Sequence, residues 1–324
     1  MYQPILVLKP EPSSVIIVGM NIAITGATGM IGSRLIDLLL EKGHSLILFS
    51  RSESPPSRFV DGKDVEWIQA ELEQEVPDGI LEKSDALINL AGTRIKGSRW
   101  SKKHKEDIYN SRVNTTRNLV DAMKRCGSPP PVFISASAIG YYGDREDDFL
   151  TEETGNGKGF LAGVTRDWEA EALKAEETGA RVVLLRSSPV LAADDGALPE
   201  IVKTFKMGVG GVLGPGSQWM PWVHIEDEAA MITWALEEES VRGPLNVTAP
   251  EPRTNEEFMN AVSSRLGKNL LVRVPASALK LALGEMAREM LLASQRAVPE
   301  KALDAGYPFK FPALEKALED LLDG

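Results

Sequence analysis

Cysteine occurs once in the 324 residues, at Cys126, which excludes an intramolecular disulfide and leaves no cysteine cluster for zinc. Histidine is almost as scarce: His44 and His104 read as surface positions and His224 as a structural anchor, so no metal is expected. Positive charge is in deficit, with 36 Lys and Arg against 47 Asp and Glu and a net charge of -11. A nucleic-acid partner is therefore not expected, because phosphate backbones demand a basic surface. No apolar run reaches the ~18 residues of a membrane span, so no membrane partner is expected either. Residues 1–19 lack the basic start, apolar core and small-residue cleavage site of a signal peptide, and they read as an N-terminal extension ahead of Met20. A cytoplasmic location is the corresponding expectation.

What is present centres on Asn21-Ile-Ala-Ile-Thr-Gly-Ala-Thr-Gly-Met-Ile-Gly32. Ile22 to Ile24 predicts a buried strand, and Ile31, Leu35, Leu38 and Leu39 predict a helix from Met30 to Leu40. Gly26, Gly29 and Gly32 between them keep the spacing G-x-x-G-x-x-G. Such spacing allows a tight turn, bare backbone beside a pyrophosphate, and close packing of helix on strand. The helix start then offers free N–H groups to phosphate. A dinucleotide site follows, formed by Gly26, Thr28, Gly29, Met30, Ile31 and Gly32.

The rest of the chain alternates strand and helix patterns, which predicts an α/β fold with a doubly wound parallel sheet of the Rossmann type. Further strands are expected at 45–49, 65–69, 85–90, 132–135 and 181–186, and helices at 103–125, 161–177 and 227–238. The glycine-dense stretch 208–216 reads as a loop. Helices are expected at 255–266, 276–292 and 312–322. The division is thus an extension over 1–19, a nucleotide-binding domain over 20–245, and a small, mostly helical C-terminal domain over 246–324 that serves substrate or lid.

The second strand ends Leu48-Phe49-Ser50-Arg51-Ser52. An NAD site usually carries Asp or Glu there to bind the ribose hydroxyls. Ser50 and Arg51 instead suit a 2′-phosphate, which a guanidinium grips with a bidentate fork. The cofactor expected is NADP(H).

With Asn89-Leu-Ala-Gly92, Ser135-Ala-Ser137 and Gly140-Tyr-Tyr-Gly143, these features resemble an extended short-chain dehydrogenase/reductase. More narrowly, the chain resembles the atypical epimerase-family proteins, through Ser111-Arg-Val-Asn-Thr-Thr116, Trp168-Glu169, Gly210-Gly-Val-Leu-Gly214 and the stretch from Gln218 to Asp227. Leu283-Gly-Glu-Met286 and Ser294-Gln-Arg296 resemble that family's C-terminal domain of unknown function. The resemblance implies that Leu90 and Ala91 line the cofactor, that Asp107 and Arg112 supply polar contacts to it, and that Val190 sits near the nicotinamide. It also allows a homodimer paired through helices flanking the sheet.

The superfamily's usual Ser, Tyr and Lys are not all retained. Ser137 holds the serine place, but the register set by Glu169 puts Leu161 at the tyrosine and Thr165 at the lysine. Neither exchanges a proton usefully near neutral pH. Tyr141 and Tyr142 follow Ser137 and offer the nearest phenols, with Arg112 the available cation to lower a pKa, although packing is the alternative for both. Ser137 and Tyr141 are therefore the catalytic candidates. Gln218, Trp219 and Trp222 are candidates for contact with a small polar substrate, or equally for packing between domains. Two functional readings stand: an NADP(H)-dependent oxidoreductase or epimerase acting on a small polar molecule, nucleotide-linked sugars included, and a non-catalytic NADPH-sensing protein.

Overall fold

The computed structural model describes residues 19–56, 59, 63–95, 99–269 and 272–323. All but the last residue of the expected extension 1–19 lies outside them.

Seven parallel strands form the central sheet: β1 (Asn21–Thr25), β2 (Ser45–Ser50), β3 (Val65–Gln69), β4 (Ala86–Asn89), β5 (Val132–Ala138), β6 (Arg181–Ser187) and β7 (Gly243–Val247). Their order across the sheet is β3-β2-β1-β4-β5-β6-β7. Central strands are buried on both faces, which is why β1, β2 and β4 read as unbroken apolar runs. Alternation still sorts their side chains. Ile22, Ile24, Leu46 and Leu48 join a core under α1 (Met30–Glu41), whereas Ala23, Ile47 and Phe49 join one under α2 (Lys102–Arg125).

On the second face α2 packs against α3 (Phe160–Leu173); on the first, α1 packs against α5 (Ile225–Glu237). Between β6 and α5 the chain makes an excursion that carries α4 (Leu198–Lys206). A third core joins Leu198, Phe205 and Trp222 of that excursion to α6 (Asn255–Arg265) and α9 (Leu314–Asp323). Helices α7 (Ala276–Leu283) and α8 (Glu300–Asp304) complete the C-terminal part.

Three expectations need correction. The seventh strand was not anticipated, since its Gly-Pro-Leu-Asn-Val sequence lacks a β-branched run; the division placed between 245 and 246 runs through it. The glycine-dense loop contains a short strand, Gly211–Leu213, paired with Val272–Val274, because the glycines let two backbones approach closely. The helix expected over 276–292 stops at Gly284, whose φ of +64° leaves the helical region, and a π-turn resumes at Ala287–Leu291. Among the described residues, no helix is long and apolar enough to cross a membrane.

Candidate functional site

In an open α/β sheet the crevice for a ligand forms beyond the strand ends where the strand order reverses. Here that point lies between β1 and β4. The turn after β1 and the segment after β4 flank a cavity of about 570 Å³. Gly26 has a φ of +71°, and a Cβ there would sit 2.6 Å from the Leu90 carbonyl oxygen. A side chain at Gly32 would overlap the Gly26 carbonyl. The glycines are thus required by contact as well as by turn geometry. Gly32→Ala is expected to lower stability by about 1–3 kcal/mol; an unshifted urea midpoint would show that the turn relaxes freely.

Helix α1 begins at Gly29 with no side-chain cap and no acidic residue in its first turn. Its N–H groups and positive dipole end are therefore left to whatever occupies the cavity. The opposite lip is held by a buried network. Thr25 Oγ1 donates to Asn89 Oδ1 at 2.6 Å and accepts from the Leu90 and Ala91 N–H groups at 3.2 Å. Asn89 Nδ2 and Trp168 Nε1 both donate to Thr116 Oγ1 at 2.8 Å, tying β4 to α2 and α3.

Gly26, Gly29, Met30, Ile31, Gly32, Leu90, Ala91, Arg112, Ser137 and Val190 all line the cavity. Ser50 and Arg51 stand just outside, beside the glycine turn, because Phe49 pairs with Thr25 in the sheet. Arg51 is exposed, and no ion pair holds it among the described residues. Thr28 and Asp107 are exposed and do not line the cavity. Arg112 lies deeper. Its Nη1 donates to the carbonyls of Thr93 (3.0 Å) and Ile108 (3.3 Å), with no carboxylate beside it. Burial lowers its pKa to about 10, so it remains a cation at neutral pH.

The catalytic expectations fare differently. Ser137 lines the cavity, but its hydroxyl donates to Glu169 Oε1 at 2.6 Å and is committed as a donor. Arg186 grips the same carboxylate with two bonds of 2.9 Å and donates from Nη1 to the Tyr142 hydroxyl at 3.1 Å. Tyr141 does not line the cavity; its ring lies over the Arg186 guanidinium, 3.7 Å from the centroid. Tyr142 is fully buried, bonds to Asn246 Oδ1 at 2.6 Å, and has its pKa pushed up to about 12 by burial. Leu161 and Thr165 line the wall where an acid/base pair was sought, and the Thr165 hydroxyl bonds back to the Leu161 carbonyl at 2.8 Å.

None of the substrate candidates lines the cavity. Trp222 is buried in the third core and donates to the Glu251 carbonyl at 3.1 Å. Trp219 donates to Asp147 Oδ1 at 2.5 Å and stacks against Arg296. Gln218 donates to the carbonyls of Leu213 (2.9 Å) and Leu291 (3.1 Å). Amphipathic aromatics serve packing between parts of a fold as readily as they serve ligands, and the contacts seen for these three are packing contacts.

His224 acts as an anchor: Nδ1 caps α5 by accepting from Glu226 N–H at 3.1 Å, and the ring stacks on Phe311. His44, expected at the surface, is buried, and its Nδ1 accepts from the Met20 N–H at 3.1 Å. Among the described residues no group of three or more His, Cys, Asp or Glu is placed to hold a metal.

Glu289 and Glu228 are among the cavity residues that escaped the sequence. Glu289, from the C-terminal part, accepts from the Phe160 and Leu161 N–H groups at 2.8 and 2.9 Å and so caps α3 from outside its own helix. Glu228, in the first turn of α5, is completely buried on the cavity wall, and burial raises its pKa to about 8. A glutamate at a helix start satisfies the dipole, so nothing in the sequence marked it as unusual.

Residues 22–248 match the NAD dependent epimerase/dehydratase family, and residues 274–321 match a domain of unknown function. The epimerase family protein YfhF of Bacillus subtilis is 36% identical over 304 residues, covering 94% of this chain and 98% of that one. A chloroplastic SDR39U1 homologue of Arabidopsis thaliana is 37% identical, covering 94% and 87%. The crystal structure of human epimerase family protein SDR39U1 (isoform 2) with NADPH superposes with a TM-score of 0.81 at 29% identity, covering 94% of this chain and all of that one. Fold, glycine turn and sequence agree across almost the whole length, and the chain belongs to the NAD dependent epimerase/dehydratase family.

Proposed function

We propose that this protein binds NADP(H) in the cavity and acts as an oxidoreductase or epimerase on a small polar substrate, nucleotide-linked sugars included. One observation carries the reading: the glycine cradle has no room for side chains at Gly26 and Gly32 and faces the uncapped start of α1. Its shape and polarity fit a pyrophosphate. The human relative solved with NADPH supports the same cofactor.

In this reading the segment from Gly26 to Gly32 holds the pyrophosphate, and Ser50 and Arg51 hold the 2′-phosphate. Leu90 and Ala91 lie along the dinucleotide, Val190 approaches the nicotinamide end, and Arg112 adds a polar contact from α2, whereas Asp107, exposed and outside the cavity, adds none. Bound NADP(H) supplies a hydride donor or acceptor. The chain's own part is to orient it, to exclude water with the apolar wall of Leu161, Val164 and Trp168, and to present the Ser137 oxygen as an acceptor.

A second reading, a non-catalytic NADPH-binding protein, is favoured by the wall itself: neither Leu161 nor Thr165 can relay a proton, and the Ser137 proton is already engaged. Titrating NADPH and NADH side by side tests the shared cofactor claim. NADPH is expected to bind more tightly, and Arg51→Ala to weaken it by about 10- to 100-fold, the loss of a charge-assisted contact worth roughly 1.5–3 kcal/mol. Tighter binding of NADH would overturn it. Turnover of a carbonyl substrate with NADPH then selects the first reading. An NADPH-dependent change in assembly without turnover selects the second.

A further inference from the structure

Glu228 is 0% exposed and sits on the cavity wall with Ser187, Ser188, Pro189 and Val190. Its Oε1 accepts from Ser187 Oγ at 2.7 Å, while its Oε2 is buried without any hydrogen-bond partner among the described residues. A lone buried carboxylate oxygen is costly to leave unsatisfied, and more costly beside a polyanion. A protonated carboxyl reverses the problem, because Oε2–H becomes a hydrogen-bond donor in a residue of the cavity wall.

We propose that Glu228 serves the cavity as a neutral carboxylic acid that donates a hydrogen bond to an oxygen of the dinucleotide, so that the cofactor is taken up together with a proton held at this side chain. The inference rests on the cofactor reading above.

The surroundings keep Glu228 isolated. On α1, Arg34 is engaged by Glu226 at 2.6 Å, and Asp37 and Glu41 complete its charged residues. On β6, Arg186 is bound to Glu169 and Arg181 to backbone carbonyls of 235, 236 and 241. Neither β5 nor the strand Val190–Leu191 carries a charged residue. On its own helix, His224 stacks on Phe311, and Asp227 accepts from the N–H groups of Lys310 and Phe311. Across the cavity stand Arg112, Glu289 and the Arg94–Asp195 pair. Burial is the main force on Glu228, with the Ser187 hydrogen bond opposing it, and no charged neighbour contributes.

The sign follows. Below about pH 8 the carboxyl is protonated and donates; above it, the donor is lost and a negative charge faces the cofactor. The dissociation constant of NADPH, read by fluorescence titration from pH 7 to 9.5, is expected to rise about tenfold or more above pH 8 in the wild-type protein. Glu228→Gln keeps an N–H donor without a titration, and its dissociation constant is expected to stay flat across the same pH range. Calorimetry on the wild-type protein in buffers of different ionisation enthalpy needs no variant, and is expected to show proton uptake on NADPH binding at pH 8.5. Parallel pH profiles for the two proteins, or binding without proton uptake, would overturn the proposal while leaving the cofactor reading intact. Failure of NADPH to bind at any pH overturns both.

Discussion

Glu169→Ala is expected to lower the stability of the fold by about 3–5 kcal/mol, the usual consequence of stripping the partner from a buried charge. Arg186 and Glu169 are 3% and 5% exposed and joined by two hydrogen bonds. The remaining Arg186 contacts, the Tyr142 hydroxyl and the Glu152 carbonyl at 3.1 Å, are neutral and cannot offset the charge. The ring of Tyr141 over the guanidinium shields it further from water. The pair links β6 to α3 directly beneath Ser137, so the loss should also free that hydroxyl. Urea denaturation of the wild-type and variant proteins reads the effect, and a loss under about 1 kcal/mol would mean that water reaches the stranded arginine. Ser137→Ala removes one bond to a carboxylate that keeps both of its bonds to Arg186, and is expected to cost far less, about 1 kcal/mol.

The second large effect concerns Glu228 and the empty protein. Its folded-state pKa, about 8, lies above the ordinary glutamate value, about 4.3. The folded chain therefore retains a proton that the unfolded chain releases. Stability from this group is complete below about pH 4.3, falls as pH rises, and is exhausted above about pH 8. The span is worth on the order of 5 kcal/mol at about 1.4 kcal/mol per pH unit. Asp227 and Glu152, also raised by burial, add to the same slope, whereas Glu226, lowered first by its bond to Arg34, acts in the opposite sense and only below the ordinary glutamate range. Comparison with Glu228→Gln isolates the group. Relative to wild type, the variant is expected to gain stability steadily between pH 5 and pH 8. Denaturation curves that stay parallel across that interval would refute the assignment.

The glycine turn and the segments that flank the cavity were largely legible in the sequence because their determinants are local. Gly26 to Gly32 lie on seven consecutive residues, and Leu90 and Ala91 directly follow a strand; pairing of β1 with β2 and β4 brings the three segments together. The same logic left open the side chains whose roles depend on distant partners. Trp222 and Gln218 looked suited to a polar ligand, but the partners that claim them lie at 251, and at 213 and 291. Tyr141 has its ring over Arg186, 45 positions away, and no spacing rule joins the two.

By itself, the sequence determined the alternation of strands and helices and the glycine cradle. Each of these depends on the period of apolar residues or on the residue present at one position. Only the tertiary structure decided which polar groups share the cavity and which are spent on one another. It brought Glu289 to the start of α3 across 128 positions, and the Ser137 hydroxyl to Glu169. It also buried Glu228 in the cavity wall, bonded to Ser187 and with one oxygen unpaired among the described residues. Burial and charge pairing are properties of the packed whole, and they set the protonation state and the free hydrogen-bonding capacity on which any chemistry in this cleft depends.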